Sequence, residues 1–141
     1  MAEKIGKYTI KLYKMPTIKI ELAEGRNKQT LLCLRDTVMD CVVEILKLPS
    51  NDRNIRLIEY KPEFFQMKPP YEILIEITMF SGRTKETKKK LYQTIVEKLE
   101  VNCSIGKKEI LIILNEQPLE NWGVRGGISG DEIEIGFQIN V

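Results

Sequence analysis

Histidine is absent from all 141 residues of the chain, and that absence narrows the chemistry. General base work near neutral pH falls most often to histidine, so every triad that depends on an imidazole is excluded. The remaining proton carriers are a carboxylate raised by burial, a depressed lysine or cysteine, or an α-amino group, whose ordinary pKa of about 7.7 to 8.0 already suits the task. Cysteine is scarce as well. Cys33, Cys41 and Cys103 fall in periodic segments without framework or zinc-site spacing. They read as reduced packing thiols, and they are too few and too dispersed for the common metal clusters. No apolar run is long enough to read as a membrane span, and the start Met1-Ala2-Glu3-Lys4-Ile5-Gly6-Lys7 lacks the apolar stretch of a secretory signal, so a soluble cytoplasmic protein is expected. A dominant charge is missing too: the formal balance is +2 with both signs interspersed. No nucleic-acid partner is expected, because the one basic cluster, Lys85, Lys88, Lys89 and Lys90, has no interleaved aromatics and reads as a solvated helix face.

What the chain does contain, at 43% hydrophobic, suits one compact domain with a real core. Its organising stretch is Met15-Pro16-Thr17-Ile18-Lys19-Ile20-Glu21-Leu22-Ala23-Glu24-Gly25-Arg26. If the mature chain began at Pro16, that residue would be a free secondary amine at the start of a strand, a catalytic group. Inside a chain the same nitrogen is a tertiary amide with neither proton nor basicity. Residues 1–14 therefore bear on function. Tyr8, Ile10 and Leu12 alternate with polar neighbours, as in a strand, and the segment also reads as a tag or as a start assigned too far upstream.

From Thr17 the alternation of Ile18, Ile20 and Leu22 predicts a strand with one buried face, ended by Gly25. Asn27 is placed to cap a helix running to about Lys47, with an apolar stripe through Leu31, Leu34, Val38, Val42, Ile45 and Leu46. Pro49 stops it, residues 55–60 read as the next strand, and residues 61–71, rich in proline and aromatics, read as a loop. The pattern then begins again with a strand over 73–79, Ser81-Gly82-Arg83-Thr84, a helix over 85–99 and a strand over 109–115. An offset of 57 residues superposes the halves without a gap: Ile18 on Ile75, Gly25-Arg26 on Gly82-Arg83, Leu34 on Leu91 and Glu59 on Glu116. Position 73, opposite Pro16, is isoleucine, so one site per subunit is expected.

This predicts an α/β (α+β) fold built from a duplicated βαβ unit, with repeats over about 17–60 and 73–116 in a single domain spanning 15–141. Each unit should hold parallel strands joined by a right-handed crossover, giving a four-stranded sheet with two helices on one face. Ile58, Ile75, Ile77 and Ile112 suggest apolar side chains on both sheet faces, and a second subunit is the economical cover for the open one. After Asn121-Trp122-Gly123-Val124-Arg125-Gly126-Gly127, the alternation in Glu132-Ile133-Glu134-Ile135-Gly136-Phe137 predicts a terminal strand suited to a neighbour's sheet.

The Met-Pro start, the Glu24-Gly25-Arg26 turn, the βαβ duplication and the tryptophan-glycine run together resemble the tautomerase superfamily, over residues 15–141. The glycine run is similar to that of 4-oxalocrotonate tautomerase. Pro49-Ser50-Asn51-Asp52-Arg53 and Asn115-Glu116 ahead of Asn121-Trp122 are similar to malonate semialdehyde decarboxylase. The resemblance implies an amino-terminal proline as general base, arginines that bind a substrate carboxylate, an aromatic in the pocket, no cofactor, and a homotrimer. Carried over by position, it implies Pro16 as the proline, Asp52 as an acidic residue that helps activate water in the decarboxylase, Arg83 as a carboxylate-binding arginine and Trp122 as the pocket aromatic. Arg125 is a further candidate for substrate or a neighbouring subunit. Ser81 stands where the decarboxylase has its second arginine. The expected function is keto-enol proton transfer on a small 2-oxo or enol acid. The alternatives are decarboxylation or hydration of a small 3-oxo acid, and a non-catalytic oligomeric binding protein if Pro16 stays internal. Each residue also has a structural reading: a surface ion pair for Arg83, a turn cap for Asp52 and packing for Trp122.

Overall fold

A computed structural model of the protein describes residues 15–132. The expectations for residues 1–14, and for the terminal strand beyond Glu132, lie outside the described residues. Strand β1, Thr17–Ala23, leads through Gly25 at φ 139° into helix α1, Lys28–Leu46. Asn27 caps that helix, its side chain accepting the Thr30 N–H at 2.8 Å. Lys47, in the left-handed conformation, ends it. Strand β2, Ile55–Tyr60, follows, then a short 3-10 turn at Pro62–Phe64 within the expected loop.

The second half repeats the first in conformation as well as in sequence. Strand β3 is Ile73–Phe80 and helix α2 is Lys85–Cys103, offset by 57 residues from α1 at both ends. Gly82 repeats the positive φ of Gly25, Thr84 repeats the cap of Asn27, and Ser104 repeats the left-handed stop of Lys47. Strand β4, Ile110–Gln117, is followed by a 3-10 turn at Leu119–Asn121, again 57 residues beyond its counterpart. Helix α2 runs a turn past the expected end at Leu99. Its apolar stripe stops there, but Glu100-Val101-Asn102-Cys103 contains no helix breaker, so the backbone continues until Ser104 turns left-handed.

The four strands lie in the order β2-β1-β3-β4. Each βαβ unit pairs its own two strands in parallel, and the units meet through antiparallel β1 and β3, with Ile18 opposite Ile77 and Ile20 opposite Ile75. Cross-strand partners share a face, so Leu57, Ile20, Ile75 and Ile112 form one row beneath the helices. That row joins Leu34, Val38 and Val42 of α1 and Leu91, Ile95 and Leu99 of α2 in one core. Of the four isoleucines expected to mark two apolar faces, only Ile58 points away from the helices. Its row continues through Glu21, Leu74 and Leu111, while the next row carries Arg56, Lys19, Glu76 and Ile113. The open face is therefore mixed, with Lys19 and Glu76 paired across it at 3.5 Å.

The cysteine expectation is corrected for two residues. Cys33 of α1 and Cys103 of α2 form a disulfide, with Cα atoms 5.9 Å apart and a sequence separation of 70. The pairing arises where the two helices lie side by side. It does not follow the internal repeat, in which Cys33 matches Lys90, so sequence spacing gave no sign of it. Cys41 remains a free, buried thiol that burial raises to about 11, which makes it a packing residue rather than a nucleophile. No helix among the described residues is long and apolar enough to cross a membrane.

The fold depends on burial at the centre of the sheet, so Ile75→Ala, at a fully buried position, is expected to cost about 2 to 5 kcal/mol of unfolding free energy. Urea unfolding monitored by circular dichroism checks it. A loss below about 1 kcal/mol would place the core elsewhere.

Candidate active site

The antiparallel seam brings the start of β1 to the end of β3. Pro16 is buried there, directly ahead of Thr17, which lies opposite Thr78. On its other side the Ile18 N–H donates to the Asn54 carbonyl at 2.9 Å, so the segment entering β2 lies beside Pro16. The ends of β3 and β4 complete this edge, where the Ser81 N–H donates to the Gln117 carbonyl at 3.1 Å.

Four of the five residues singled out from the sequence stand on elements that meet at this end. Asp52 belongs to the loop entering β2. Its backbone N–H closes a turn on the Pro49 carbonyl at 3.0 Å, and Arg53 ties the loop to α1 through Asp40 at 2.9 Å. Capping is thus done by the backbone, and burial raises the Asp52 carboxyl to about 6. A carboxylate so placed exchanges protons near neutral pH.

Arg83 follows Gly82 at the head of α2. Burial pulls its guanidinium below the usual range, and the charge of Glu116 partly offsets this. Glu116 is itself held by Lys88 at 2.8 Å, an ion pair between the first turn of α2 and the end of β4. A half-buried guanidinium at a helix head is suited to hold an anion, with the N-terminal amides of α2 adding to the same field.

Trp122 leans on Phe80 with ring centroids 4.5 Å apart, and its Nε1 is buried without a hydrogen-bond partner among the described residues. A buried indole donor left open costs free energy unless a ligand or water meets it. Trp122 is fixed by a close backbone approach: its carbonyl accepts the Gly130 N–H at 2.8 Å, and a Cβ on Gly130 would come within 2.6 Å of the Leu119 carbonyl oxygen. Only glycine fits there. The intervening chain forms a hairpin of β5, Gly123–Val124, and β6, Ile128–Ser129. Arg125, the fifth candidate, is exposed in the turn between them at φ 47°, followed by Gly126 and Gly127 at positive φ. The hairpin joins this end of the molecule to the tryptophan, and Arg125 is carried on its tip.

Phe80, Lys88, Glu116 and Gly130 were not singled out as site residues. Phe80 ends a strand whose alternation would send it outward, and the tryptophan folds back onto it. The repeat offered a signal for Glu116, which falls on Glu59, but none for Lys88 or Gly130, which fall on Leu31 and Ile73.

With this geometry in hand, relatives and solved structures place the chain. The family model described as tautomerase enzyme matches residues 52–125. Probable tautomerase YusQ of Bacillus subtilis is 29% identical over 121 residues, covering 80% of this chain and 95% of that protein. Probable tautomerase YrdN of the same organism is 26% identical over 117 residues, covering 77% and 89%. In fold the chain is similar to FG41 malonate semialdehyde decarboxylase, with a TM-score of 0.72 at 23% identity over 85% of this chain and 95% of that one. It is likewise similar to a fused 4-OT symmetric trimer, with a TM-score of 0.71 at 19% identity over 82% and 96%. A match across more than half the chain, joined to a βαβ duplication that runs strand by strand, means that this protein belongs to the tautomerase enzyme family.

Proposed function

We propose that the protein catalyses keto-enol proton transfer on a small 2-oxo or enol acid, at the sheet end that carries Pro16. The observation behind this reading is the convergence there of Pro16, Arg83 and Trp122 on separate elements, with an arginine desolvated and an indole donor unspent. In the reaction the secondary amine of Pro16 takes the proton α to the carbonyl and returns it at the other end of the enol system. Arg83 holds the carboxylate and offsets enolate charge, and Trp122 excludes water. Arg125 is assigned a supporting contact with the substrate or with a neighbouring subunit. The reading requires a chain whose Pro16 nitrogen is free, because an amide nitrogen has no usable lone pair. With Pro16 internal, the same pocket is left to binding without catalysis. No metal or organic cofactor enters the scheme.

A second reading is favoured by Asp52, whose carboxyl is raised to about 6 by burial. Its ionised form, on the loop entering β2 at the Pro16 end of the sheet, is suited to activate water, which decarboxylation or hydration of a small 3-oxo acid would use. Both readings take a homotrimer as the working form. The support is that Leu74, Leu111, Ile58 and Ile113 lie on the sheet face away from the helices, and that several solved relatives in this fold are trimers.

Ketonisation of phenylenolpyruvate or 2-hydroxymuconate is expected to be far faster with the form beginning at Pro16 than with the full chain, and the difference should lie in kcat. Equal turnover would remove Pro16 as the base. In the same assay Arg83→Ala should lower kcat/KM for the carboxylate substrate about ten- to a hundredfold more than for an uncharged ketone analogue. Parallel losses would make Arg83 structural. Sedimentation equilibrium at micromolar concentration should give a trimer, and a stable monomer would end that part of the proposal.

Asp52 makes a separate pH prediction. Its folded-state pKa of about 6 lies above the ordinary 3.8, so between those values the folded state holds a proton that the unfolded state releases. The stabilisation is complete below the unfolded value and is lost as pH rises through about 6. Urea unfolding of wild type should therefore show a fall in stability from pH 4 to 7 that Asp52→Asn lacks. Identical pH profiles would show that Asp52 titrates normally.

A further inference from the structure

A cavity of about 580 Å³ opens at the opposite end of the sheet, where β1 leaves and β3 enters. Phe65, Met67 and Tyr71 form an apolar wall, and Glu24, Arg26 and Glu72 form a polar rim. Phe65 is held in place by stacking on Tyr60, with centroids 5.4 Å apart. The internal repeat makes this end the counterpart of the Pro16 end: at the same 57-residue offset, Arg26 stands for Arg83, Glu109 for Asp52, Phe65 for Trp122 and Ile73 for Pro16.

The counterpart residues have exchanged their chemistry. Ile73 offers no basic nitrogen in any form of the chain. Arg26 is already engaged, its Nη2 lying 3.0 Å from Glu109 Oε1 and 3.5 Å from Glu72 Oε1. Glu109 is fixed in turn, because its other oxygen accepts the Gly106 N–H at 3.2 Å. An incoming carboxylate would have to displace a built-in partner and meet its charge. Among the residues that line the cavity one guanidinium stands with two carboxylates, those of Glu24 and Glu72, and Glu109 pairs with that guanidinium from outside the lining, so negative charge is in excess beside an aromatic wall. Lys61 and Lys68 belong to the same loop and do not line the cavity.

We propose that this cavity is a second ligand site, selective for a small organic cation with an aromatic or aliphatic body. The ammonium sits at the Glu24 and Glu72 carboxylates, and the body lies on Phe65 and Tyr71, where cation–π attraction and burial act together. The comparison with Arg83 rests on the function proposed above, but the charge balance at the cavity does not.

The test titrates the full chain, in its assembled state, with phenethylammonium by calorimetry, alongside phenethyl alcohol and phenylacetate as neutral and anionic counterparts. The cation should bind at least about tenfold more tightly than the alcohol, as expected for charge-assisted contacts. Glu24→Gln and Glu72→Gln should each weaken the cation several-fold and leave the alcohol unchanged. Glu24 is exposed and has no ion pair among the described residues, so its variant is expected to fold normally and keep the test open should Glu72→Gln unfold. Equal binding of cation and alcohol, absence of cation binding, or indifference to Glu24→Gln would each overturn the proposal. So would phenylacetate binding that survives Arg83→Ala, since it would place an anion in this cavity. Cation binding by the form beginning at Pro16 without ketonising activity in that form would sink only the proposed function, and ketonising activity in that form without cation binding would sink only this site.

Discussion

The antiparallel pairing of β1 with β3 is the constraint on which the rest depends. Each βαβ unit pairs its own strands in parallel, so its two strands start at the same end of the sheet. A parallel seam would have put both strand starts on one side. The antiparallel seam places the start of β1 beside the end of β3, and that juxtaposition alone brings Pro16 into the neighbourhood of Ser81, Gly82 and Arg83 from the other half. The isoleucines of the seam make the arrangement stable. Ile18 and Ile20 face Ile77 and Ile75 with no exposure, and each buried side chain contributes about 1.5 to 3 kcal/mol against the entropy of ordering the chain.

The same seam produces two ends that are related by the repeat and differ in their side chains. Backbone features required by the turn were kept at both: a positive-φ glycine before the arginine, a polar cap, and a 3-10 turn after the second strand. These satisfy the exposed amides at the helix heads and hold the arginines in matching places. Side chains outside these backbone features diverged. Across the repeat proline corresponds to isoleucine and tryptophan to phenylalanine, so one scaffold carries two ends of different character.

Much of this was legible because hydrophobic period and capping residues are local signals. Ile18, Ile20 and Leu22 specify a half-buried strand wherever they lie, and Asn27 and Thr84 mark helix starts without reference to the partner helix. The gapless offset then supplied topology, since two similar units must meet along an edge. Contacts set by how the elements pack were not legible. The Cys33–Cys103 bond joins positions that the repeat does not relate, and the sheet face of each isoleucine depends on register, in which a shift of one residue reverses every side chain. Among the candidate residues, Asp52 and Arg83 were chosen by position, and the burial that shifts each comes from the chain packed around them, which position does not reveal.

Burial and pairing are two ways to treat an arginine, and the two ends use one each. Arg26 is neutralised within the fold by Glu109 at 3.0 Å, and its field is spent on holding β4 and the β3 entrance to the first turn. Arg83 has its most strongly coupled carboxylate, Glu116, bound to Lys88 at 2.8 Å, so the cost of burying its charge is only partly offset. A guanidinium in that condition gains more from an arriving anion than a solvated one would, because part of its desolvation has already occurred in folding. The lysine on the first turn of α2 therefore has a function beyond a surface ion pair. By holding Glu116 it draws off a carboxylate that would otherwise do for Arg83 what Glu109 does for Arg26, so that among the described residues one arginine is paired within the fold and the other is buried with its nearest acidic partner shared.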